Sequence, residues 1–330
     1  MKSTISACVM LLVLSLAAAE PALSQSQSNR AGALDLKELL GLWPAHRPSG
    51  PQIGSSKLDA VALGLAKAKV YKFATADYPG AALSVAFDKN STGTVVGAFH
   101  VDPNSSSSPV TAFTLKGGVY RTFNVPGSTS SILTGINSSG QMVGVYTDLT
   151  LEHGFLDVGG TFTNVDFPSA IRTAAIDLND TGQIVGSYTD VSNITHGFVD
   201  NGGVFISIDF PTAITTDADG INAVGDIVGI WQDPLFNVHG YLLSGGVFTS
   251  IDFPLAVSTT AFGINDAGEI AGSYFDGSGT RHGFIYSDGA FSQVDVVGAS
   301  DTLLTRIKNN GQLTGTFTDA LTEEHGLTAR

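Results

Sequence analysis

The sequence predicts an all-β protein, a six-bladed β-propeller of four-stranded antiparallel blades, and three observations predict it. First, the dipeptide His-Gly returns at His153, His196, His239, His282 and His325, each 43 residues after the one before. A unit of this length cannot bury its apolar surface alone and must stack on its neighbours. Second, each unit reads as four short strands separated by Gly-rich turns, with no helical period. Third, the repeat begins with one strand and ends with three, so its two ends complete a shared sixth blade.

Six copies align on Asn-x-x-Gly-x-x-x-Gly, starting at Asn90, Asn137, Asn179, Asn222 and Asn265, with Lys308 in the sixth. Two further columns keep step: Asp77, Asn124, Asp166, Asp209, Asp252 and Asp295, usually just before Pro, and the hydroxyls Ser84, Ser131, Thr173, Thr216, Thr259 and Thr302. In the copy from 259 to 297, an apolar segment 259–265 (strand A) leads through a turn at Gly268 to strand B at 269–275. A loop precedes strand C at 282–286, and a turn at Gly289 precedes strand D at 290–296. A four-stranded unit of this size is a propeller blade, with the compact, Gly-rich strand A at the axis. Residues 70–78 match strand D and residues 325–328 match strand C, which closes the ring and removes its exposed edges.

Ahead of the ring, residues 1–24 read as a secretory signal: Lys2, an apolar run from Ile5 to Ala19, then small residues, with cleavage after Ala19 or Ser24. Residues 25–69 read as a linker, Pro- and Gly-rich at 47–56, with short helical pieces at 34–42 and 58–69. The one cysteine, Cys8, lies inside the signal, so the exported ring is expected to hold without disulfides. No later apolar run is long enough to span a membrane. The expected location is the periplasm or the medium, and the expected state is a monomer. The formal net charge is −14, and much of the positive charge falls before or within the first strand. An acidic ring repels nucleic acid and anionic lipid, which excludes both as partners.

The frame Gly263-Ile-Asn-Asp-x-Gly-x-Ile-x-Gly272 followed by His282-Gly-Phe284 resembles the bacterial extracellular repeat family named for its His-Ala-Phe (HAF) tripeptide. Gly replaces the family's middle Ala, and the resemblance covers residues 70–330. It implies secretion and a propeller-like repeat fold. It carries over no catalytic residue.

Candidate chemistry falls into two groups. Strand B ends in Asp and strand C opens with His in five blades: Asp148 and His153, Asp190 and His196, Asp233 and His239, Asp276 and His282, Asp319 and His325. Such pairs occur in catalytic and zinc sites, but here they are spread around a ring, whereas a catalytic site converges. They are expected to pin each B–C hairpin. The second group is where the repeat breaks its own rule, in blade 4. There Asp217 and Asp219 replace the residues that blade 5 holds as Thr260 and Phe262, and Trp231 replaces Tyr. These three are the candidate ligand-binding residues. The Asp217-x-Asp219-Gly-x-Asn222 spacing suits calcium in part, though it lacks the third acid and distal Glu of a calcium loop. The expected function is a non-catalytic binding or interaction module of the bacterial envelope or exterior, for a glycan, peptide or protein. The alternative is a secreted polysaccharide lyase or hydrolase with its site at the channel mouth, since the fold hosts both.

Overall fold

The computed structural model describes residues 71–102 and 108–330, together with the backbone of a parallel pair, Lys2–Ser3 with Arg30–Ala31. Apart from that pair, the segments 1–24 and 25–69 lie outside the described residues. No helix among the described residues is long and apolar enough to cross a membrane.

Residues 71–330 form six four-stranded antiparallel sheets, each with its strands in the order A-B-C-D. Blade 5 is typical, with strands Ser258–Ile264, Ile270–Phe275, Arg281–Ser287 and Ala290–Val294. Blade 6 takes strands A to C from the end of the chain (Asp301–Ile307, Leu313–Thr318, Glu324–Ala329) and strand D from its beginning (Phe73–Thr75). At this seam Leu327 faces Thr75 and Ala329 faces Phe73. Lys72 and Arg330 exchange backbone hydrogen bonds, and the Ala76 N–H donates to the Gly326 carbonyl. The one-plus-three closure is therefore the observed one.

Each local device has a chemical cause. The A–B turns need a residue with positive φ, supplied in blade 5 by Gly268. The hydroxyl column caps the D–A connections: Thr259 Oγ1 accepts from the Phe253 N–H at 2.9 Å, and Ser84, Thr173, Thr216 and Thr302 do the same in their blades. Blade 2 departs from this, because Ser131 Oγ points back to the Phe123 carbonyl. The A–B and C–D turns make the upper face of the ring; the B–C loops and D–A connections make the lower face.

The apolar core lies between successive blades. The glycine at the third position of strand B lets the aromatic ring of strand C press against strand A in blades 1 to 5. At Gly272 an added Cβ would lie 2.0 Å from the Thr260 carbonyl oxygen and 2.8 Å from the Phe284 ring. Gly272→Ala is therefore expected to cost about 4 kcal/mol through forced separation of strands. Urea unfolding measures it, and a loss below about 1 kcal/mol would show that the sheet yields there without strain.

Candidate functional site

Strand A bulges once in every blade, skipping one residue in its pairing with strand B: Phe87, Thr134, Ile176, Asp219, Phe262 and Thr305. An apolar cluster of Val85, Phe87, Ile132, Ala174, Ile176, Phe262, Leu303 and neighbours joins blades 1, 2, 3, 5 and 6. Blade 4 contributes nothing to it, because Asp217 and Asp219 stand at its places. The axis is thus a packed core at this depth rather than an open channel.

Both acids are buried, Asp217 at 1% and Asp219 at 0% exposure, and none of their four oxygens has a hydrogen-bond partner. Desolvation pushes the Asp217 carboxyl up to about 7, opposed in part by the nearby Ser187 hydroxyl. Desolvation and the Asp217 charge drive Asp219 well above the carboxylate range, against the pull of Arg306. A neutral carboxyl can donate a proton, as its counterparts do. Thr134 donates to the Ala175 carbonyl at 2.8 Å, Thr305 to Phe87 at 2.8 Å and Thr260 to Ser273 at 3.0 Å. Tyr241 stands where four other blades have Phe and blade 6 has Leu327, and its hydroxyl is also buried without a partner.

The three residues singled out in blade 4 do not share a surface. The acids are sealed in the axis, so neither presents itself to a glycan or a peptide, and Asp219 is a mid-strand bulge rather than an exposed strand end. Trp231 sits toward the lower face, with its ring between Phe210 (centroids 4.0 Å apart) and His239 (4.5 Å). It is packing within the blade.

Above the acids the axis is closed by ion pairs the sequence reading missed. The residue after the bulge is Gly135, Gly220 and Gly263 in three blades but Asp88, Asp177 and Arg306 in the others. Arg306 reaches across the ring, donating to the carbonyls of Phe262 and Ile176 at 2.9 Å, and lies 3.4 Å from Asp177. It needs Gly263 beside it, where a Cβ would come within 2.8 Å of the Arg306 Cα. Burial raises the Asp177 carboxyl, with Arg306 opposing. Lys308 pairs with the buried Asp88 at 2.6 Å.

The Asn column surrounds this mouth. Each Oδ1 clasps its own A–B turn, as in Asn265 accepting from the Glu269 N–H at 2.9 Å. Each Nδ2 also donates to the next blade's carbonyl, from Asn90 to Asn137 and onward to Lys308. Lys308, standing where Asn is expected, closes the circle by its ion pair with Asp88. The result is a depression of about 220 Å³ lined by these turns, Asp177, Arg306 and Lys308.

On the lower face each of the five His side chains lies between two aspartates. The nearer is the strand-D Asp rather than the B–C loop Asp expected from sequence. Nδ1 meets Asp166, Asp209, Asp252, Asp295 and Asp77 at 2.6–3.0 Å. Nε2 faces the loop Asp at 3.6–3.7 Å. The loop Asp chiefly holds its own loop: Asp276 Oδ1 accepts from the Ser278 and Thr280 N–H groups. In blade 2 the Thr150 hydroxyl and the Leu151 N–H hold the Asp148 carboxyl down at about 2. At His325 burial opposes charge, but Asp77 and Asp319 outweigh it and raise the imidazole from its ordinary value.

No protein-family model and no functionally curated protein matches the sequence. Solved structures do. TolB from Acinetobacter baumannii aligns with a TM-score of 0.52 at 10% identity, over 71% of this chain and 63% of that one. AofleA from Arthrobotrys oligospora aligns with a TM-score of 0.50 at 14% identity, over 81% of this chain and 91% of that one. An Aleuria aurantia lectin, solved with Fucα1-6GlcNAc, aligns with a TM-score of 0.47 at 9% identity, over 77% and 93%. Identities this low establish a shared propeller fold and nothing about ligands.

Proposed function

We propose that this protein is a secreted, non-catalytic binding module of the bacterial envelope or exterior that engages its partner through the lower face. One observation carries this reading: among the described residues, most of the large exposed apolar side chains lie there. Val101, Leu149, Val191, Leu235, Phe236 and Leu321 stand on B–C loops, and Leu255 and Val297 stand on D–A connections. Apolar groups concentrated on one face of a soluble ring mark an interaction surface. The loop aspartates hold several of these tips in place, as Asp233 does for Leu235 and Asn237. Export follows from the leader-like residues 1–24 and from the resemblance to the HAF repeat family.

A second reading, a polysaccharide-active enzyme, draws on the mouth of the upper face. Non-repeated charged residues converge there, and the buried Asp177 has the raised carboxyl that a general acid needs. Its carboxylates, however, are tied to Arg306 and Lys308.

Glycan-array and peptidoglycan retention of the purified chain tests both. Leu235→Ser with Phe236→Ser is expected to weaken retention at least 10-fold with the fold intact, and unchanged retention would exclude this face. Release of reducing ends that Asp177→Asn abolishes would establish the enzyme instead.

A further inference from the structure

The five His–Asp–Asp clusters of the lower face share one His and two Asp and differ at the residue two places before His. It is Leu151, Ile194, Asn237, Thr280 and, in blade 6, Glu323. In blade 4 the Asn237 amide donates to Asp233 Oδ2 at 2.8 Å, supplying a hydrogen to the carboxylate that faces His239. Glu323 does the opposite, adding a third acceptor. The Oδ1 of Asp319 is already occupied by the N–H groups of Leu321 and Glu323. Its Oδ2 lies 3.7 Å from His325 Nε2. One ligand atom each from Asp319, Glu323 and His325 falls within 4.8 Å of the others.

Three features make this more than a cluster of acids. The donor set is mixed, and its imidazole is oriented from behind: Nδ1 meets Asp77 Oδ2 at 2.9 Å, while Asp77 Oδ1 accepts from the Gly326 N–H at 2.9 Å. A carboxylate behind the remote nitrogen fixes a metal-binding histidine's tautomer and leaves Nε2 free to coordinate. The spacing of one pair is close to what a metal needs, since ligands 2.0–2.2 Å from a tetrahedral centre lie roughly 3.4 Å apart and Asp319 Oδ2 stands 3.7 Å from His325 Nε2. Finally, a small cavity of about 80 Å³ adjoins the cluster, lined by Asp77, Ser84, Glu323, Glu324 and His325. Glu324 brings to it a carboxylate that is only 8% exposed.

The geometry points to a divalent metal site at the seam of the ring, with Asp319, Glu323 and His325 as ligands and Asp77 as the positioning residue. One imidazole with two carboxylates selects zinc or a neighbouring first-row ion over calcium, which takes an all-oxygen shell. Asp77 belongs to the first strand of the ring and the ligands to its last hairpin. A bound ion therefore sits beside the junction on which closure depends, linked across it through the hydrogen bond between His325 and Asp77.

The test is titration of the full chain with zinc by calorimetry, and with cobalt(II) by its visible ligand-field absorption. One ion per chain is expected, with a chelator-reversible rise in melting temperature. Glu323→Gln, an exposed substitution that leaves the ring folded, is expected to weaken binding at least 30-fold and abolish the cobalt spectrum. His282→Gln, in the matching blade-5 cluster without a third carboxylate, is expected to leave both unchanged. Absence of binding, binding indifferent to Glu323→Gln, or equal weakening by His282→Gln would each overturn the site.

Discussion

Replacing Asp217 with Val and Asp219 with Ile, the residues that blades 1 and 3 carry at these positions, is expected to stabilise the ring markedly above neutral pH. Ionising a buried carboxyl without hydrogen bonds opposes folding, and the penalty follows from the shift. A folded-state value of about 7 at Asp217, against an ordinary 3.8, corresponds to about 4 kcal/mol once both states are ionised. The sign is set by the direction of the shift. A carboxyl raised on folding contributes fully below about pH 4, and its contribution is lost as pH rises through the folded value near 7. The native protein should therefore lose stability as pH rises from about 4 to about 7 in a way the double variant does not. At pH 8 the variant is expected to melt roughly 10 °C higher at the same scan rate. At pH 3 the difference should shrink, because both acids are then largely neutral in either state. An equal or lower melting temperature at pH 8 would mean that the acids have partners worth more than their desolvation, a bound cation such as calcium among them. Calcium-dependent melting of the native chain that the double variant lacks would identify that cation. Arg306 keeps Asp177 and its carbonyl acceptors in the variant, so its own burial stays compensated.

Removing residues 71–80 is expected to have the largest effect in the opposite direction. That segment supplies strand D of blade 6, the Asp77 that holds His325 and the Gly326 N–H, and the Tyr78 ring stacked 3.8 Å from Phe99 in blade 1. Without it, strand C of blade 6 becomes a free edge and the junction with blade 1 opens. Exposed edges template aggregation, so the truncated ring should precipitate or melt at least about 15 °C lower. A truncated ring that is soluble and melts with the parent would show that five blades and a remnant close without the seam strand.

Most of the architecture was legible because it is written six times. A 43-residue return, four apolar strands per unit and a phase offset at the two ends are properties of the chain order, and they survive whatever surrounds them. The hydroxyl column was also legible: a Ser or Thr seven residues after the D-strand Asp reaches back to cap a connection whose ends are local. The His partner was only half legible. Sequence proximity pointed to the loop Asp, five or six residues away, whereas the twist of strands C and D brings the Asp thirteen residues on within hydrogen-bonding distance.

The blade-4 acids show the limit most clearly. Their departure from the repeat was visible, but the reasons to expect ligand binding were that they break the rule and that their spacing partly suits calcium. Where they point depends on the strand-A bulge, which turns residue 219 inward and seals it beneath Arg306. The seam cluster depended equally on folding, since Asp77 and His325 are separated by nearly the whole ring and meet only when it closes. Sequence alone determined that this protein is a closed ring of six repeated blades, because periodic burial and turn chemistry act over a few residues at a time. Tertiary structure alone decided which charges share the axis, which face carries the exposed apolar tips and which histidine gains a third carboxylate. Those outcomes rest on contacts between blades, and a one-dimensional pattern does not encode the distances that set them.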